Sequence, residues 1–139
     1  MERTRYLADT SVFARLTKPS VTAAFAPLTA GGQVALCSPV MFELGYSARN
    51  PNDYRALVDG LSAFPPVPVT DADHRRASEV QGALATSGQH RAISLVDGLV
   101  AAIAEARDLI VLHYDSDFEL VAEVTGQETE WVVPRGSVD

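Results

Sequence analysis

Cysteine is almost missing from this chain. Cys37 stands alone among 139 residues, which excludes an internal disulfide and a cysteine metal cluster. Lysine is equally scarce: Lys18 faces ten arginines. Positive charge is short overall, with 11 basic against 18 acidic residues and a formal net charge of -7. A nucleic-acid-binding face is usually basic, so any such face here has to come from arginine, which is the better fork for phosphate. No window approaches ~20 consecutive apolar residues, so no membrane span is expected. The N-terminal stretch MERTRYLADTSVF lacks the apolar core of a signal peptide. The expectation is a soluble cytoplasmic protein. Internal repeats, low-complexity tracts and Asn-Gly hairpin turns are missing too. What remains is 47% hydrophobic and 21% charged, the composition of one folded domain over 1–139.

The apolar and polar runs alternate in kind along the chain. Short strands are expected at Arg5 to Ala8, Val34 to Cys37, Val67 to Val69, Leu109 to His113 and Glu130 to Val133. Helical patterns lie between them: Thr10 to Thr17, Val21 to Thr29, Ser38 to about Arg49, Asp53 to Ala63, Thr70 to about Ser87, Leu95 to Arg107, and Asp117 to Thr125. Ser38-Pro39 supplies a hydroxyl cap followed by proline in the first turn. Strands alternating with helices imply an α/β fold of three layers, with a short central parallel sheet of four to five strands. In such sheets the site lies beyond the carboxyl ends of the strands. Asp9 and Asp115 each sit just past the end of an expected strand.

Each acid has a bland reading. Asp9, before Thr10-Ser11, is a natural N-cap. Glu43 lies in an apolar helix, VMFELGYSAR, where it would serve as the solvated stripe. Asp97 stands three residues after Ser94, the spacing of a capping box. Its helix, LVDGLVAAIAEA, is however apolar almost all the way round, as a buried helix is. A carboxylate there is costly unless paired or bound to metal. Gly98 beside it suggests close approach by a neighbour. Asp115 and Asp117 either share one ion, or one binds while the other caps the next helix. Together these acids form an oxygen-only cluster, which suits Mg²⁺ or Mn²⁺ rather than zinc. His74, His90 and His113 show no zinc spacing.

The motifs LADTSVFARL (7–16), SPVMFELGYSAR (38–49), LVDGLVAAIA (95–104) and HYDSDF (113–118), in that order, resemble the PIN-domain ribonucleases, and among them the VapC toxins of type II toxin–antitoxin pairs. His113 departs from the Thr or Ser of many relatives, which leaves open what supports Asp115. The resemblance implies metal-dependent hydrolysis of RNA phosphodiester bonds. Asp9, Glu43, Asp97 and Asp115 would be catalytic and would hold Mg²⁺, or Mn²⁺ in its place, with Asp117 as a further ligand. It also implies a VapB-type antitoxin that plugs the acids with a basic side chain, and a homodimer. The apolar residues Val12, Phe13, Phe42 and Tyr46 exceed what a small core obviously needs and are available for the dimer. Arg15, Lys18, Arg49, Arg75, Arg76 and Arg91 are candidates for RNA phosphates. A PIN-type nuclease in RNA processing without an antitoxin is the alternative. A catalytically dead binding module would lack at least one acid. An aspartyl phosphatase would need Asp two residues after Asp9, where Ser11 stands.

Overall fold

The computed structural model describes residues 3–139. Five strands form one sheet: β1 (Tyr6–Ala8), β2 (Val34–Cys37), β3 (Pro66–Val67), β4 (Ile110–His113) and β5 (Thr129–Trp131). Their order is β3-β2-β1-β4-β5 and every pairing is parallel. β1, β2 and β4 are buried along their whole length, which is why they read as unbroken apolar runs. β3 is a two-residue edge strand opening on proline, a residue that a central strand does not tolerate.

Seven helices flank the sheet: α1 (Thr10–Phe13), α2 (Pro19–Ala30), α3 (Ser38–Tyr46), α4 (Pro51–Leu61), α5 (Asp71–Ala85), α6 (Leu95–Ala106) and α7 (Asp117–Thr125). The expected three-layer α/β/α arrangement is what forms. α1 is shorter than its sequence pattern. Lys18, the residue before Pro19, is held extended, as a residue preceding proline prefers, so the chain leaves the helix early and restarts at Pro19. Asn50 caps α4 through the N–H of Asp53, and Pro51 takes its first position, so the helix starts two residues before the expected Asp53. α7 ends at Gly126, whose φ of +73° is the left-handed geometry that glycine adopts without cost.

α6 lies at the centre of the helical packing, with α3, α5, α7, β1 and β4 all against it. Its residues 97–104 are all buried. Gly98 faces α5, but a Cβ there would meet only Ala77 and Ile93 at 3.7 Å, ordinary contact. The expected close backbone approach is therefore not present. The chain passes from β1 to β2 and β3 on one side, then returns to place β4 on the other flank of β1. This is the switch point at which doubly wound sheets leave a crevice. β1 and β4 both deliver an aspartate to it.

Candidate metal centre

Asp9 follows β1 and does cap α1: its Oδ2 accepts the N–H of Ser11 at 3.0 Å. The capping reading uses only one oxygen. Oδ1 is buried and has no hydrogen-bond partner among the described residues. Asp97 sits in the first turn of α6, where Ser94 Oγ accepts its N–H at 3.1 Å, but the carboxylate makes no return bond to the cap. Half of a capping box is formed and the acid is left over. Asp115 follows β4; its Oδ1 accepts the N–H of Asp117 at 2.9 Å. It is thus Asp115, not Asp117, that closes the turn into α7.

One carboxylate oxygen from each of Asp9, Asp97 and Asp115 lies within 4.8 Å of the others. Asp9 is 2% exposed and Asp97 8%. No ion pair among the described residues reaches these acids. The electrostatic consequence is plain. Burial, then the charges of Asp9 and Asp115 and a hydrogen bond to Asp117, push the Asp97 carboxyl up to about 8. Burial also raises Asp9, against the opposing hydrogen bonds from Ser11, with Asp115 and Glu43 adding to the rise. Asp117 is raised by burial and by Asp115. An orphaned carboxylate oxygen and buried carboxyls pushed up from their ordinary range mark a cluster short of positive charge. A hard divalent cation with oxygen ligands fits it.

Glu43, in α3, is half-buried and stands outside the group of three, acting on Asp9 as a like charge. Asp117 stands beside Asp97. His113, fully buried, holds the main chain of the cluster: its Nδ1 accepts the N–H of Asp115 at 3.1 Å. Burial lowers its pKa to about 4, so the ring is neutral at pH 7 and its proton is on Nε2. Ser11 Oγ accepts the N–H of Tyr114 at 2.8 Å, tying the segment after β4 to the one after β1. The main chain at Asp115 is thus held by an imidazole, and that of Tyr114 before it by a serine of α1.

The PIN domain family model matches residues 6–124. Ribonuclease VapC51 of Mycobacterium tuberculosis is 46% identical over 135 residues, 97% of this chain and 98% of that protein. The chain belongs to the PIN-domain family, among its VapC proteins. Ribonuclease VapC18 of the same organism is 38% identical, across 96% of this chain and 98% of that protein. Among solved structures, DNA-bound VapBC from Salmonella typhimurium contains a chain with the same fold, at a TM-score of 0.76 and 20% identity over 94% of this chain and 99% of that one.

Two expectations for this PIN domain change at its surface. Val12 is fully buried and so is not free for a dimer, while Phe13 is half-buried and packs on the core, edge-on to Phe25 and Phe64. Phe42 and Tyr46 are 80% and 87% exposed. Among the arginines, Arg49 pairs with Asp53, and Arg76 with Glu105 and Glu79. Arg75 and Arg91 are exposed, and Arg15 lies over the Tyr114 ring. The sequence gives no sign of a further buried acid, Asp73, which Arg107 clasps with two hydrogen bonds at 3.1 Å. No helix among the described residues is long and apolar enough to cross a membrane.

Proposed function

We propose that this chain is a metal-dependent ribonuclease and the toxin of a type II toxin–antitoxin pair, with residues 1–139 working as one unit. The observation that carries this is the convergence of Asp9, Asp97 and Asp115 with no ion pair to them among the described residues. The substrate class comes from the relatives, VapC51 and VapC18, which are named ribonucleases. Asp9, Asp97 and Asp115 would hold the ion, Mg²⁺ or Mn²⁺ in its place, and Glu43 and Asp117 would complete the ring from α3 and α7. Once bound, the ion would supply a water of lowered pKa and neutralise charge on the phosphate oxygens.

The chain's own residues prepare for that event. Asp97 keeps a proton at neutral pH and surrenders it when a cation arrives. Ser11 sets the spacing of the acids by bonding both Asp9 and the Tyr114 backbone. Neutral His113 fixes the main chain at Asp115. Unneutralised, the acids repel an RNA phosphate, so substrate entry waits on the cation. The same surplus suits an antitoxin of the VapB type that presents an arginine or lysine to the cluster, and the net charge of -7 favours a basic partner. A homodimer would use the exposed Phe42 and Tyr46 surface of α3. The test is RNA cleavage by the purified chain with Mg²⁺, with excess EDTA, and with Mg²⁺ restored. Cleavage should stop with EDTA and return with Mg²⁺; full activity in chelator rejects the proposal.

A further inference from the structure

Beside the acid cluster, and sharing Asp115 with it, an open cleft of about 520 Å³ is lined by Ser11, Arg15, Tyr114, Trp131 and Arg135, with Asp139 also on its wall. Arg15 leaves the end of α1 and lies over the Tyr114 ring, its guanidinium carbon 4.6 Å from the centroid. One of its N–H groups reaches the Ser11 carbonyl at 3.3 Å, while Nε is buried with no partner among the described residues. The other half-buried arginines, Arg76 and Arg107, are each clasped by a carboxylate. Arg15 makes no ion pair among the described residues. In a protein with net charge -7, a half-buried arginine without an acid stands out as a vacant anion partner.

The platform under Arg15 is held unusually firmly. The Tyr114 hydroxyl donates to the Val138 carbonyl at 2.9 Å and accepts the N–H groups of Gly136 and Val138 at 2.9 and 3.3 Å. Its ring meets Trp131 edge-on at 5.1 Å, and its N–H goes to Ser11. The C-terminal segment thus straps Tyr114 in place, and Tyr114 presents Arg15. The segment also carries Arg135, which lies 5.5 Å over Trp131 and pairs with Glu119 at 3.0 Å. A guanidinium held in advance loses little freedom on binding and offers a planar fork that matches phosphate.

We infer that Arg15, with Arg135 lining the same cleft, grips the RNA phosphate adjacent in the strand to the one at the acid cluster, so that Arg15 is a substrate-binding residue. The inference rests on the ribonuclease reading. It is tested by steady-state cleavage of a short single-stranded oligoribonucleotide with Mn²⁺ across a range of salt concentrations. Arg15→Met should raise KM about tenfold with kcat little changed, and should flatten the slope of log(kcat/KM) against log[salt] by about 0.7, one phosphate contact on a single strand. Arg15→Lys should restore the slope and part of KM. Arg135→Met should shift both in the same direction by less. Unchanged KM and slope in Arg15→Met overturn the inference, as does a raised KM with an unchanged slope, which marks a merely structural role. If circular dichroism shows that Arg15→Met does not fold, the Arg135→Met slope decides: flattening supports the cleft and no change overturns it. A wild type that cleaves no RNA overturns the ribonuclease reading and this inference with it; a cleaving wild type matched by its variants overturns this inference alone.

Discussion

Asp73 and Asp97 begin from the same local chemistry and end as opposites. Each stands three residues after a hydroxyl cap, Thr70 for α5 and Ser94 for α6, and each is nearly buried, at 2% and 8% exposure. Asp73 completes its capping box and then meets Arg107, which came from 34 residues away. Burial alone would raise Asp73, but the bonds from Arg107 and Thr70 win, and its carboxyl is held below the usual range. Asp97 forms only the Ser94 half of the box and meets Asp9, Asp115 and Asp117 instead. Its carboxyl is pushed up to about 8. One buried acid has its cation built in, and the other waits for a cation from solution. An unfinished capping box on a buried helix is thus a better pointer to a site than the acid itself.

The sharpest way to break this pairing is to neutralise each acid in turn. Asp97→Asn should lower RNA cleavage at least ~100-fold, the scale on which charge-stabilising groups act, while circular dichroism remains native. Asp73→Asn should leave cleavage per folded molecule near wild type. Equal loss in both variants would erase the distinction. In stability the order reverses. Removing Asp73 leaves Arg107 without its partner and should cost about 3 kcal/mol, the low end for a buried pair because Arg107 keeps some solvent. For a chain of this length that is a fall in Tm of roughly 10 °C.

The pH dependence separates the two acids by sign. The Asp97 carboxyl titrates at 3.8 in the unfolded chain and at about 8 when folded. The folded state therefore binds the extra proton, and the stability it confers is complete below pH 3.8 and is lost as pH rises to about 8. Asp73, being lowered, contributes stability above the usual carboxylate range that is lost on acidification. Metal-free wild type should accordingly lose Tm between pH 5 and pH 8 relative to Asp97→Asn. Parallel curves for the two proteins would contradict the raised Asp97. The smallest expected effect is at the caps. Thr70→Ala and Ser94→Ala should each cost about 1 kcal/mol, with Thr70→Ala the larger, because that hydroxyl also bonds Asp73 Oδ2 at 3.0 Å.

The sequence discloses Asp97 and hides Asp73 for the same reason. LVDGLVAAIAEA is apolar on every side, so an acid in it is anomalous on sight. Asp73 lies in DADHRRASEV, where polar neighbours give no sign of burial and its partner is distant in the chain. Strand order and the rim position of Asp9 and Asp115 follow from apolar runs ended by acids, and they are legible. Val12 and Phe13 look like surplus surface because the short α1 conceals how much of it the core consumes. The limited reach of Glu43, the support of Asp115 by His113 and the strap on Tyr114 depend on side chains meeting across elements, which spacing along one chain does not encode.

The central claim is that the cluster of Asp9, Asp97 and Asp115 takes a cation that the protein does not supply. Calorimetric titration of the metal-free chain with Mn²⁺ at pH 7, in two buffers of different ionisation enthalpy, tests it directly. Because Asp97 is protonated at that pH, binding should release about one proton, visible as a buffer-dependent heat. Asp73→Asn should behave like wild type, and Asp97→Asn should bind far more weakly and release none. Absence of Mn²⁺ binding to the wild type, or undiminished binding to Asp97→Asn, would contradict the claim.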